Sequence, residues 1–278
     1  MIYLLLAIIS SALVSIVMRL SSNRVKHDIG LLAMNYFTAL CISLLTGGAS
    51  SFNPGAEAFG SAAILGSVNG VLYVLSLTAF QGSVKKNGVV LSSVFMKLGI
   101  LVPMLLSVCF FGEIPSVIQA VGFVIALAAI IIINSGGEKG SKGFNMGLVF
   151  LLILSGSADA MAKIFEETSN VNLSGVFFTL TFLIAVLVCL VRLLKSGQKI
   201  GKNEIIFGCL IGIPNCLSAK FLLPALERMP AVIVYPTYSV GTIMLVTLVG
   251  VAAFGEKLQK KQWLAMLLIL AALVLLNI

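Results

Sequence analysis

Charge is what this sequence has least of. Asp, Glu, Lys and Arg make up 10% of its 278 residues, hydrophobic types make up 59%, and mean hydropathy is +1.13. Soluble domains are about a quarter charged, since a water-facing surface has to be covered, so a soluble globular chain is excluded. Histidine is nearly missing: His27 stands alone, in a basic loop. There is no HExxH metal centre, no acidic pair suited to a metal-bound diphosphate and no Ser/His dyad, which sets aside an intramembrane enzyme. The five cysteines (Cys41, Cys109, Cys189, Cys209, Cys216) are odd in number, lie in apolar stretches and lack metal-ligand spacing. They read as small hydrophobes, and neither a metal nor a cofactor is expected. The wide continuous polar stripe of a channel is missing too. No positive region precedes the first apolar segment and Arg19 follows it directly, so that segment is expected to be a retained helix, not a cleaved signal.

What fills the chain is a series of apolar runs, each about 20 residues long and able to cross roughly 30 Å of hydrocarbon as a helix. Ten are read, near 2–20, 29–47, 58–82, 87–111, 115–133, 144–166, 171–194, 203–227, 230–254 and 259–277. Breakers separate them at Asn53-Pro54-Gly55, Gly82-Ser83, Gly136-Gly137 and Met229-Pro230. The expected class is an all-α integral membrane protein with ten transmembrane helices.

Lys and Arg fall on one side of that arrangement. The odd-to-even loops hold fourteen of them, from Arg19, Arg24 and Lys26 through Lys85 and Lys86 to Lys257, Lys260 and Lys261, against Arg228 alone on the other side. Positive loops stay in the cytoplasm, so both termini are expected outside a cell (inner or plasma) membrane. The pI of 9.4 then reflects these loops, not nucleic-acid binding.

A duplication is visible in the motifs. Phe-Gly-Glu occurs at Phe111–Glu113 and again 143 residues later at Phe254–Glu256, and each glutamate is followed 21 residues on by an asparagine, Asn134 or Asn277. Ala62, Gly66, Asn69 and Gly70 align with Gly208, Gly212, Asn215 and Cys216, and Phe37-Thr38 resembles Phe178-Thr179. Two halves of five helices each must be inverted relative to one another, the architecture of an alternating-access transporter. The expected organisation is a first repeat over 1–134, a cytoplasmic linker over 135–143 and an inverted second repeat over 144–278.

Ten helices in two five-helix halves, each closing with a helix, Gly-Glu and a final helix, resemble the drug/metabolite transporter superfamily, EamA type. The stretch that carries most of the resemblance runs from Ala225-Leu226-Glu227-Arg228-Met229-Pro230-Ala231 through Pro236 to Phe254-Gly255-Glu256 and Gln262-Trp263-Leu264. The resemblance implies transport of a small metabolite, often export. It leaves the substrate open among amino acids, amines, nucleotide sugars, phosphorylated sugars and drugs. Many such proteins carry basic residues in the second loop and at the C-terminus; this chain has neither, so its orientation rests on its own charges.

Charges inside helices mark candidate site residues. Lys97 stands near the bilayer middle of the fourth helix, where an idle ammonium is costly, so it should face a wet cavity or a partner. Asp159 and Lys163 lie four apart on one face of the sixth helix and are candidates for ion coupling. Lys220 lies in the outer part of the eighth and either lines the cavity or snorkels outward. Asn69, Tyr73, Asn215, Tyr235 and Tyr238 complete the candidate substrate site, with helix bridging or aromatic packing as the other reading. Glu113 and Glu256 are read as structural carboxylates that cap the helix after them. Internal cations outnumber internal anions, so the expected cargo is anionic or zwitterionic, such as an amino acid, carried by an exporter or exchanger. The rival is a flippase for a lipid-linked phosphate or sugar carrier. Expected partners are the small-molecule substrate and the lipid bilayer, with the chain a monomer or homodimer.

Overall fold

The computed structural model describes residues 2–48, 59–110, 116–134, 145–169, 173–197, 199–229 and 231–276, and every regular element among them is helical. The helices are α1 (Ile2–Ser21), α2 (Asp28–Ser43, prolonged by a π turn over Leu44–Gly48), α3 (Phe59–Asn87), α4 (Val89–Lys97), α5 (Leu101–Phe110), α6 (Val117–Asn134), α7 (Met146–Thr168), α8 (Ser174–Ser196), α9 (Lys202–Arg228), α10 (Ala231–Phe254) and α11 (Lys260–Leu276). A 3₁₀ turn, Leu98–Ile100, joins α4 to α5, so these two are halves of one rod and ten rods result among the described residues. Seven helices among the described residues are long and apolar enough to cross a membrane. The chain is a multi-pass membrane protein whose outer face is apolar, with Leu45, Leu194 and Leu248 among its exposed side chains.

Two boundaries differ from the sequence reading. The break expected at Gly82-Ser83 falls instead at Gly88, whose φ of 81° is open to glycine and costly for other residues. Helix α3 therefore runs 29 residues, about 43 Å at 1.5 Å per residue, and Lys85 and Lys86 occupy its last turn, where cations suit the dipole. The fourth rod, expected to be continuous, is broken directly after Lys97. Pro103 has no amide to give to the Gly99 carbonyl, which weakens the ladder at that point.

Packing between the two ends of the chain is reciprocal. Helix α1 packs on α9 as α7 packs on α3; α9 also packs on α2 as α3 packs on α8. Helix α1 meets α10, and α7 meets the α4–α5 rod; α2 meets α8, α4 meets α10, and α6 pairs with α11. Small residues set these distances. A β-carbon added at Gly70 would lie 2.5 Å from the Thr181 carbonyl oxygen of α8, and one at Gly212 would lie 2.5 Å from the Asn35 carbonyl oxygen of α2. Backbones approach this closely because in lipid helix association relies on contact, not on hydrophobic expulsion.

Gly70→Ala is accordingly expected to destabilise the protein by about 1–3 kcal/mol through overpacking. Gly82→Ala, where an added β-carbon has no neighbour within 4 Å, should be neutral or stabilising by up to ~1 kcal/mol. Melting temperatures in one detergent check the pair. Equal shifts would refute the packing account.

Candidate functional site

The break in the α4–α5 rod places the site. Lys97 is the last residue of α4, about 12 Å below the start of that helix at 1.5 Å per residue. Opposite the break lies α7: Ser155 Oγ donates to the Met96 carbonyl at 3.1 Å. An added β-carbon on Gly99 would come within 2.8 Å of the Gly156 amide nitrogen. The small residues Ser155 and Gly156 thus let the broken rod sit directly on α7. Lys97 and Asp159 flank this crossing from either helix.

Four of the sequence-predicted residues converge here. The Lys97 Nζ lies 4.0 Å from the centre of the Tyr238 ring, a cation–π contact from α4 to α10. Asp159 is within electrostatic range of Lys97 and of Tyr73, which is also within range of Tyr238. Tyr73 packs edge-on against Phe182, with ring centres 6.2 Å apart. Lys97, Tyr73 and Tyr238 are half-buried, and Asp159 is exposed although it faces groups on α3 and α4. An intramembrane charge persists where a wet cavity or a partner meets it, and the Tyr238 ring is such a partner for Lys97.

Asn69, Asn215 and Lys220 make other contacts. Asn69 is buried between α3 and α8, its Nδ2 3.4 Å from Thr181 Oγ1. Asn215 Nδ2 donates to Asn35 Oδ1 of α2 at 3.2 Å. Both bridge helices at the glycine crossings. Lys220 donates to Thr46 Oγ1 in the π turn that ends α2, away from Lys97. Lys163 is half-buried one turn beyond Asp159 on α7. Tyr235 belongs to α10, but its side chain lies outside the described residues, as does Glu113.

Glu256 corrects an expectation. It does not cap α11, the helix that follows it. Its carboxylate accepts the amides of Val89 and Val90, the first residues of α4, at 2.7 and 3.1 Å, and pairs with Arg19 Nε of α1 at 3.4 Å. The motif explains the reach. Gly255, with φ 63°, ends α10, and the Glu256 amide bonds back to the Gly250 carbonyl at 3.0 Å, a closure that turns the side chain toward α4. Helix α11 has its own cap, since the Gln259 amide donates to Gln262 Oε1 at 2.8 Å.

Several contributors escaped the sequence reading. Ser218 Oγ lies 3.2 Å from Tyr238 Oη, and Ser11 of α1 also bonds that hydroxyl. Glu204 Oε1 accepts the amides of Lys26 and His27 at 3.0 and 3.1 Å, so it caps α2 as Glu256 caps α4. Serines are too common for any spacing to single out Ser11 or Ser218. For Glu204 the one local sign is an acid in the first turn of α9, which says nothing of a partner 178 residues away.

Residues 173–269, from the start of α8 into α11, match the family described as Small Multidrug Resistance protein. An uncharacterized protein of Haemophilus influenzae is 22% identical over 281 residues, spanning 97% of this chain and 95% of its own length. A solved crystal structure with 15% sequence identity superposes with a TM-score of 0.62 over 99% of this chain and 94% of that one, a likeness of fold. The family match, together with the multi-pass helical architecture, supports a membrane transporter and points away from an enzyme.

Proposed function

We propose that the chain is an alternating-access transporter of a small anionic or zwitterionic metabolite, an exporter or exchanger of the EamA type. Its two inverted repeats cover 1–134 and 144–278, with the linker over 135–143. Support for the inversion comes from the reciprocal helix contacts and from the one-sided distribution of Lys and Arg, which puts both termini outside. The observation that carries the substrate reading is the Lys97 ammonium held on the face of Tyr238, within electrostatic range of an exposed carboxylate, Asp159. An anionic group on the cargo would meet Lys97, and a cationic group, where the cargo has one, would meet Asp159. Tyr73 and Tyr238 supply the walls. Rocking of α4 against α10 and α7 would pass this site from one face of the membrane to the other, with the 3₁₀ turn as the hinge.

Reconstituted vesicles test the proposal by counterflow of radiolabelled amino acids and sugar phosphates, run beside a lipid-flipping assay. Flipping without counterflow of any soluble cargo would overturn it. Asp159 is the carboxylate proposed to couple protons. Asp159→Asn is expected to abolish the substrate-linked signal of an enclosed pH dye while leaving exchange of labelled for unlabelled cargo. An unchanged dye signal in the variant would remove Asp159 from that role.

A further inference from the structure

A second basic feature lies outside the Lys97 cluster. Where α1 and α10 end, Arg19, Leu20, Asn23, Arg24, Ala253 and Phe254 line an open groove of about 330 Å³, within the ~300–1,000 Å³ range of ligand clefts. Both guanidinium groups are positioned by aromatic rings: Arg19 lies 5.9 Å from the Phe254 ring centre, and Arg24 lies 5.9 Å from that of Phe207. Arg19 spends its Nε on Glu256, but a guanidinium has five N–H donors, so its Nη edge is left for another acceptor. Arg24 is exposed, and no carboxylate pairs with it among the described residues. Asn23, also exposed, adds an amide.

We propose that this groove binds a phosphate group, of the kind carried by an anionic phospholipid headgroup or by a free phosphate ester. Planar guanidinium forks match phosphate oxygens in pairs. The groove sits at the ends of two membrane-crossing helices, the level of lipid headgroups, where basic pockets between helices take anionic lipids. The same two helices expose apolar side chains, Leu13 on α1 and Leu248 and Val251 on α10, to the acyl-chain region.

Native mass spectrometry of the detergent-purified full chain tests this with phosphatidylglycerol against phosphatidylcholine. Preferential retention of phosphatidylglycerol is expected, and Arg24→Gln should weaken it about fivefold. Lys195→Gln, which removes the same charge from the end of α8, should leave it intact. In phosphatidylcholine nanodiscs, a melting-temperature rise with glycerol 3-phosphate that Arg24→Gln abolishes would assign the site to free phosphate esters. Retention of phosphatidylglycerol with no such rise assigns it to the headgroup. Equal retention of both lipids with no phosphate effect, or equal losses in Arg24→Gln and Lys195→Gln, would overturn the proposal. Arg24→Lys, which keeps the charge without the fork, should recover part of the binding and so separates a binding loss from a folding defect.

Discussion

Lys97→Met is expected to remove most transport of anionic cargo while leaving the protein at least as stable. The ammonium sits on the Tyr238 ring, and the cargo's anion would add to its free side. A hydrogen bond to a charged group is worth about 1.5–3 kcal/mol, which corresponds to roughly 10- to 150-fold in affinity. On the stability side, a lysine at the centre of a membrane helix costs about 2.5–3.5 kcal/mol on insertion scales. Methionine of similar length avoids that cost and gives up a cation–π contact of about 2 kcal/mol. Function and stability should therefore move apart. Counterflow and melting temperature measured on the same preparation make the check, and undiminished uptake of every anionic candidate would sink the substrate reading. Tyr238→Phe keeps the ring face for Lys97 and loses the hydroxyl that meets Ser218 and Ser11, so its effect should be smaller than that of Tyr238→Leu.

What the sequence made legible follows from which forces act locally. Spans and loops could be read because lipid demands long apolar runs, and charge marks their ends. The depth of Lys97 followed from counting along one helix. Its partner did not: Tyr238 reaches it from 141 residues further along the chain, across an interface that apolar periodicity does not specify. Asn69 and Asn215 show the converse. Their matched positions in the two halves were plain, but a polar residue in a small-residue stripe suits a cavity wall and a helix crossing equally well. In the fold Gly70 and Gly212 draw α8 and α2 close, and each asparagine reaches a side chain on the facing helix. The Gly88 turn was missed because the sequence offers Gly82 and Gly88 alike, and burial of Ser83 against Ser92 at 2.7 Å favours carrying α3 past the first.

Glu256→Ala should loosen the start of α4 and leave the start of α11 untouched. Two unpaired amides and Arg19 share one carboxylate. Losing a helix cap costs about 0.5–2 kcal/mol, and the exposed part of the Arg19 pair adds at most about 1 kcal/mol. Gln at this position keeps one acceptor but turns its amide donors toward a backbone donor, so its effect should be intermediate. Gly88 is built for this contact: a β-carbon there would lie 2.7 Å from the Glu256 carboxylate. Because α4 ends at Lys97, fraying its first turn should also blur the ammonium's position, lowering transport beyond what the stability loss explains. Hydrogen exchange discriminates the mechanism. In the Ala variant the Val89 and Val90 amides should exchange faster, while those from Lys260 to Trp263 keep their rates, held by the Gln259–Gln262 cap and by the Trp263 amide bonded to the Gln259 carbonyl. Gln262→Ala should give the opposite pattern. Faster exchange at α11 in the Glu256 variant would restore the simpler reading in which each Phe-Gly-Glu glutamate serves the helix that comes after it.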